Sequence, residues 1–125
     1  MIVKNANYQT TLTAAVFEDC LQQLTAAVQA RDLDAVLECF GDHPVLMLRE
    51  LGTPVEGRGA LRSYLRRNLP ITVFGRPMRI ASVDIRGADR ALVRARYAVA
   101  DEVRDLDLAM ALERGRIVIT HCHWR

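Results

Sequence analysis

The segment from Leu24 to Arg67 constrains the fold most, because it changes structural type several times within a short length. Apolar residues at helical spacing predict a first helix from about Thr11 to Ala30. A break at Arg31 follows, and Asp32 can cap a short second helix. A strand, a loop and a third helix complete the segment. This order wraps helices around the mouth of a curved sheet, so it predicts a cone-shaped α+β domain.

The boundaries within this segment follow from its helix stops and its alternation. The second helix is expected over Leu33 to Phe40, where Gly41 stops it and Pro44 prevents its resumption. Residues from Val45 to Glu50 alternate like a strand, and residues from Gly57 to Asn68 have the apolar spacing of the third helix.

Four further strands are expected after the third helix, joined by turns short enough to make the sheet mostly antiparallel. They cover residues 78–86, 91–100, 104–113 and 116–124. A turn near Glu102 and Val103 would pair Tyr97 with Leu108. The same alternation places two arginines and two aspartates together on the outer face of the sheet, namely Arg94, Arg96, Asp105 and Asp107.

A single globular domain is the simplest interpretation of the length and composition. The chain has 125 residues, of which 50% are hydrophobic and 26% are charged. We expect residues 1–10 to form a polar N-terminal arm and residues 11–125 to form the domain.

Charge and cysteine content argue against several classes of protein. The net charge of +2 and the low aromatic fraction disfavour a nucleic-acid partner, and Arg58, Arg62 and Arg66 are expected to form a solvated helix face. No apolar run approaches the roughly 20 residues that span a membrane, and the N-terminus lacks the apolar region of a secretory leader. Three widely spaced cysteines without a CxxC pair indicate a reducing compartment, so we expect a cytoplasmic protein.

Four short motifs give the chain a family resemblance that covers it from about residue 12 to the end. They are ARDLD at 30–34, FGDH at 40–43, TPVEGR at 53–58, and GRIV at 115–118 ahead of a terminal His123-Trp124. In these the chain resembles the nuclear-transport-factor-2-like (NTF2-like) superfamily, in its ketosteroid-isomerase-like and SnoaL-like, or polyketide-cyclase-like, branch. The resemblance implies a cystatin-like cone with three N-terminal helices on a curved, mostly antiparallel sheet. Such a fold hosts isomerases, cyclases and binding modules, so it does not settle the function.

The resemblance also implies where catalytic groups would stand. Ketosteroid isomerases use an aspartate base with a tyrosine and a protonated aspartate as oxyanion donors. Those three positions correspond to Leu48, Leu24 and Leu108, and two supporting tyrosines correspond to Phe40 and Leu65. Because no base remains where the substrate carbon would lie, the isomerase mechanism is not expected. Either a pocket refitted for an apolar ligand or a pocket closed up by leucines explains the joint loss of these polar groups, since a half-satisfied buried network is unstable.

Three functions follow from this pattern. The first is non-covalent binding of a small hydrophobic molecule in the cone, in a pocket lined by Leu24, Leu48, Tyr97, Leu108, Met110, Thr120 and Trp124. The second is an isomerase- or cyclase-type reaction on a small hydrophobic substrate, carried by Glu50 or by the adjacent pair Asp42 and His43. The third is association with itself or with another protein.

Metal and cofactor sites find little support in the sequence. His121 and His123 share one strand face and would need a third ligand to hold a metal ion, so no metal site is expected. Phosphate-binding glycine loops, HExxH and paired CxxC motifs are missing from the sequence, so no cofactor is expected. By resemblance, the outer sheet face that carries both histidines is expected to form a homodimer interface.

Overall fold

The computed structural model of the protein describes residues 12–49 and 52–124. The expected N-terminal arm and Glu50 lie outside these residues. The described helices are α1 (Ala14–Gln29), α2 (Leu33–Glu38) and α3 (Arg58–Asn68), with a 3₁₀ turn at Val73–Gly75. The described strands are β1 (Phe40–Met47), β2 (Val55–Glu56), β3 (Arg79–Ile85), β4 (Arg90–Val99), β5 (Glu102–Glu113) and β6 (Arg116–Trp124).

The six strands form one sheet in the order β2-β1-β6-β5-β4-β3. Every neighbouring pair is antiparallel except β1 and β6, which are parallel. Register shifts interrupt the β1–β6, β3–β4 and β5–β6 ladders. Such irregularities bend strands and increase their twist, so they account for the curvature of the sheet. The predicted α+β fold with a curved, mostly antiparallel sheet is confirmed.

Side-chain caps set the starts of the first two helices. The Thr13 hydroxyl accepts from the backbone N–H of Val16 at 3.4 Å, and the Asp32 carboxylate accepts from that of Ala35 at 3.1 Å. Between the helices, Arg31 adopts a left-handed backbone with φ of 58°. The predicted break at Arg31 and the cap at Asp32 are therefore confirmed.

The end of the second helix differs from the prediction, because α2 stops at Glu38 and β1 begins at Phe40. The backbone N–H of Ile119 donates to the Cys39 carbonyl at 2.9 Å, and Phe40 pairs with Ile119. Pro44 lies in the irregular stretch between the first and second paired positions of β1, where its missing N–H costs no ladder bond. The predicted strand start at Val45 is thus wrong by five residues.

The hairpin between β4 and β5 turns at Ala100 and Asp101, two residues earlier than predicted, and Ala100 has φ of 53°. Tyr97 therefore pairs with Arg104 and not with Leu108. A partner shift of four residues leaves every side chain on its expected face, because the strand period is two. The predicted charge pairing on the outer face is confirmed. Arg94 Nε lies 3.1 Å from Asp107 Oδ1, and Arg96 Nε lies 2.9 Å from Asp105 Oδ1.

Arg58 does not join a solvated arginine stripe. Its Nη1 donates to the carbonyl oxygens of Leu37, Phe40 and Gly41 at 3.0–3.1 Å, so the guanidinium satisfies the backbone where α2 ends and β1 begins. Arg62 and Arg66 are exposed as predicted. The prediction for Arg58 is wrong because helical spacing reports a face of α3 and not what packs against that face.

The hydrophobic core lies between the helices and the inner face of the sheet. Its fully buried members come from every layer and include Phe17, Leu21, Leu24, Leu46, Leu61, Leu65, Phe74, Leu106 and Leu108. The 3₁₀ turn is held against α1, where the Gln29 amide donates to the Gly75 carbonyl at 3.1 Å. This contact seats Phe74 in the core, edge-on to Phe40 at 5.5 Å between ring centroids. The segment after α3 is thereby fixed beside the ends of the central strands.

Candidate functional site

A cleft of about 240 Å³ opens where the segment after α3 meets the ends of β1, β4, β5 and β6. We call it the mouth cleft. Its walls are mainly apolar and aromatic and include Leu48, Tyr64, Val73, Tyr97, Leu106 and Trp124. Strand alternation turns Tyr97, Leu106 and Trp124 inward, as the sequence predicted. We call the apolar and aromatic residues of this lining the apolar floor, and the cleft opens from it to the protein surface.

Hydrogen bonds hold Tyr64 in the floor of the cleft. Tyr64 and Thr72 are both buried, and their hydroxyl oxygens lie 3.1 Å apart in a hydrogen bond. The Asn68 amide donates to the Tyr64 carbonyl at 2.9 Å. Because the Tyr64 and Thr72 hydroxyl groups bond to each other, the surface that this part of the floor presents to the cleft is mostly hydrocarbon.

Three arginines line the same cleft, and we call Arg49, Arg76 and Arg104 the arginine rim. The Arg49 guanidinium lies 4.4 Å from the Trp124 ring centroid, a cation–π contact. Arg76 donates from Nη1 to the Ala98 carbonyl at 3.3 Å. The opening therefore carries positive charge directly above the apolar floor.

The three leucines at the implied catalytic positions are buried. Leu24 is 0% exposed, Leu48 2% and Leu108 1%, and all three belong to one continuous apolar cluster with Met110. Of these four, Leu48 borders the mouth cleft. Tyr97 and Trp124 border it too, so the structure brings Leu48, Tyr97 and Trp124 together and packs Leu24, Leu108 and Met110 into the core.

Thr120 departs from the predicted pocket. The β5–β6 register shifts between the pairs Ala109 with His121 and Met110 with Ile119, which leaves Thr120 in a bulge. Its hydroxyl donates to the Ala109 carbonyl at 3.1 Å and lies 3.1 Å from His121 Nδ1. Thr120 therefore borders a groove on the outer face of the sheet, because the extra residue breaks the two-residue alternation.

The candidate acid–base groups do not meet in the mouth cleft. Asp42 and His43 are exposed near the start of β1, at the opposite end of the strand from Leu48. The Asp42 carboxylate lies 3.3 Å from Arg114 Nη2 and borders a separate surface groove. Glu50 is outside the described residues, so its position is not assigned.

The histidines of β6 lie on the outer face. His121 and His123 are exposed, and the His123 ring stacks beside that of Trp124 at 6.5 Å between centroids. Within residues 12–49 and 52–124, no group of three or more His, Cys, Asp or Glu side chains is placed to hold a metal ion.

A second cleft of about 310 Å³ lies between α1, α2 and the β5–β6 hairpin, and the sequence did not point to it. Cys20 and Cys39 line it as free, buried thiols. Burial raises the pKa of Cys20 to about 12 and that of Cys39 to about 11. Both thiols therefore stay protonated near neutral pH, which makes them poor nucleophiles.

The arginine rim was also missed by the sequence reasoning, although one signal was available. Arg104 has the same parity on β5 as Leu106 and Leu108, so alternation places it on the inner face. Arg76 carries no such signal, because it reaches the cleft only through the docking of the 3₁₀ turn on α1.

Solved structures of similar shape identify the fold. An NTF2-like protein of unknown function from Shewanella oneidensis MR-1 matches with a TM-score of 0.69 and 17% sequence identity, over 90% of this chain and 98% of its own. A ketosteroid isomerase-like protein from Erwinia carotovora atroseptica SCRI1043 matches with a TM-score of 0.66 and 19% identity, over 89% and 93% of the two chains. An NTF2-like protein of unknown function from Pseudomonas putida KT2440 matches with a TM-score of 0.65 and 19% identity, over 91% and 87%.

These similarities confirm the cystatin-like, NTF2-like fold that the resemblance implied. At this level of sequence identity they establish the fold alone. No protein-family model and no curated protein sequence matches the chain. Among the described residues, none of the helices is both long enough and apolar enough to cross a membrane.

Proposed function

We propose that the protein binds a small hydrophobic molecule non-covalently in the mouth cleft. The observation that carries the proposal is an apolar, aromatic floor that stays open to the surface while the cone beneath it is filled by leucines. Ligand sites are typically concave and apolar, with a few polar groups that fix orientation. Trp124 is half-buried at the opening, so a bound molecule would cover part of the indole ring.

The size of the cleft limits the ligand. Its volume of about 240 Å³ lies below the range of about 300–1,000 Å³ typical of drug-sized ligands. A medium-length alkyl chain or a single ring system suits such a volume better than a steroid does. Because Leu24 and Leu108 are packed beneath the floor, the ligand would rest in the opening and not in the depth of the cone.

Burial of the three leucines supports binding over proton-transfer catalysis. A general base must reach the proton that it removes, and the positions implied for the base and the oxyanion donors carry buried aliphatic side chains. Asp42 and His43, the alternative acid–base pair, lie away from the apolar floor. We therefore place the isomerase- or cyclase-type alternative second, with Glu50 as its remaining candidate.

Fluorescence of Trp124 tests the proposal, because it is the only tryptophan in the chain and borders the cleft. Titration with octanamide, a neutral ligand with a short alkyl chain, is expected to change the emission and to saturate. Val99→Phe fills the cleft from its wall and is expected to weaken binding, whereas Val103→Phe, on an exposed valine of the same hairpin, is the matched control. Equal binding by both variants would remove the cleft as the site.

We also propose that two copies of the chain associate through the outer face of the sheet. Two adjoining grooves of about 530 and 490 Å³ cross this face and share the exposed Leu92. Both signs of charge occur there in cross-strand pairs, which suits the self-complementary contact of a two-fold dimer. Sedimentation is expected to show a dimer that Leu92→Glu dissociates and Ile71→Glu, on an exposed residue off this face, leaves intact. A monomer at all accessible concentrations would contradict the proposal.

A reducing compartment such as the cytoplasm is a further part of this proposal. Cys20, Cys39 and Cys122 are all buried and form no disulfide, and buried cysteines outside disulfides are ordinary in proteins of that environment. Expression with a fluorescent tag would test the location, and a secreted product would contradict it.

A further inference from the structure

The arginine rim gives the mouth cleft a charge that a purely apolar ligand would not use. Arg49, Arg76 and Arg104 all border the cleft, and among the described residues that line it there is no aspartate or glutamate. Like charges that line one apolar site repel one another, and an anion bound among them would offset that repulsion. A ligand with one anionic end would therefore be held at both ends, by the apolar floor and by the rim.

Arg104 carries the strongest sign of a missing acceptor. Its Nε is buried and finds no hydrogen-bond partner within residues 12–49 and 52–124. The side chain is 27% exposed, and Nη2 lies 3.5 Å from a carboxylate oxygen of Glu102, whose own side chain is 70% exposed. A buried donor without an acceptor is uncommon in folded proteins, and an acceptor on a bound molecule would satisfy it.

The other two guanidinium groups are positioned beside the same opening. Stacking on Trp124 holds the Arg49 guanidinium over an aromatic wall of the cleft. Arg76 uses one of its five N–H donors on the Ala98 carbonyl. A guanidinium presents its donors in a planar fork that matches the two oxygens of a carboxylate.

We propose that the ligand of the mouth cleft is a small amphipathic monocarboxylate, with its hydrocarbon part on the apolar floor and its carboxylate among the three arginines. The inference rests on the proposed binding function and adds the chemical class of the ligand. Arg104 is the residue expected to matter most, since its buried Nε gains an acceptor on binding.

Octanoate and octanamide separate the two proposals, because they share a chain and differ in charge. Trp124 fluorescence is expected to give octanoate a dissociation constant about tenfold below that of octanamide, the factor of roughly one charge-assisted hydrogen bond. Raising the salt concentration is expected to weaken octanoate binding and leave octanamide binding unchanged.

Variants that remove one positive charge show which arginine gives the preference for octanoate over octanamide. Arg104→Gln is expected to bring octanoate binding to the level of octanamide, while Arg90→Gln, at the far end of β4 from the cleft, keeps the full difference. If Arg104→Gln does not fold, Arg76→Gln makes the same test at an exposed residue.

Each outcome decides between the proposals. Equal affinity of the native protein for octanoate and octanamide would overturn the carboxylate inference and leave apolar binding intact. A preference for octanoate that survives both Arg104→Gln and Arg76→Gln would overturn it too, since the charge would then act elsewhere. No response of Trp124 to either compound would remove the binding function itself, and the inference with it.

Discussion

Replacement of Leu24 by alanine tests whether the cone is filled by packing. Leu24 is 0% exposed and lies on α1 against the inner face of the sheet. Leu24→Ala removes three carbon groups, which at about 0.8 kcal/mol per buried methylene amounts to about 2.4 kcal/mol of lost burial. The cavity left behind adds to this, so the free energy of unfolding should fall by about 3–5 kcal/mol.

Urea denaturation followed by circular dichroism measures this change, and thermal unfolding gives a second reading. For a domain of this size, a loss of that order lowers the melting temperature by roughly 10–20 °C. Ile71→Ala is the control, because Ile71 is 77% exposed and surface truncations usually change stability by less than about 0.5 kcal/mol.

A small effect of Leu24→Ala would refute the reasoning. If the loss were below about 1 kcal/mol, the residue would not be enclosed by close-packed neighbours, since full burial alone implies more. The interior of the cone would then be a space open to solvent or ligand, and the site would extend below the mouth cleft.

Two further predictions concern groups outside the cleft. Arg58→Met should lower the free energy of unfolding by about 1–3 kcal/mol, because the carbonyls of Leu37, Phe40 and Gly41 lose their donor. Arg62→Met, on the exposed face of α3, is the control and should lower it by less than about 0.5 kcal/mol. Chemical denaturation measures both changes. Burial raises the pKa of Cys39 from 9.0 to about 11. The contribution of its protonated thiol to the free energy of unfolding is therefore complete below pH 9 and is lost as the pH rises toward 11. Stability measured across that window should fall less steeply in Cys39→Ala, and an unchanged slope would contradict the assignment.

Alternation along the strands predicted much of the sheet, including parts of the candidate site. Tyr97 and Trp124 face inward as expected, and the pairs Arg94 with Asp107 and Arg96 with Asp105 form on the outer face. This succeeded even though the turn was misplaced, because an even shift in register preserves the faces of both strands.

The failures share a cause, in that the local sequence carries no signal for the structure that forms. Phe40 continues the apolar pattern of α2, yet pairing with Ile119 draws it into β1. The hairpin turns at Ala100, a residue that does not favour a left-handed backbone and so gives no turn signal. Thr120 falls in a bulge that its own sequence does not mark.

The candidate site was only partly predictable for the same reason. Leu48 follows from the strand pattern of β1, and the inward parity of Arg104 was present in the sequence. Arg76 enters the cleft because the 3₁₀ turn docks on α1, where Thr25 and Gln29 donate to the carbonyls of Arg76 and Gly75. Contacts between segments about 50 residues apart leave no local trace for sequence reasoning.

Methyl and indole NMR during an octanamide titration tests the central claim most directly, because it maps where the ligand lies. We expect the largest shifts at the methyl groups of Leu48, Val99 and Leu106 and at the Trp124 indole, with little change at Leu92 on the outer face. Shifts that concentrate at Leu92, or beside Cys20 in the second cleft, would contradict a binding site at the mouth of the cone.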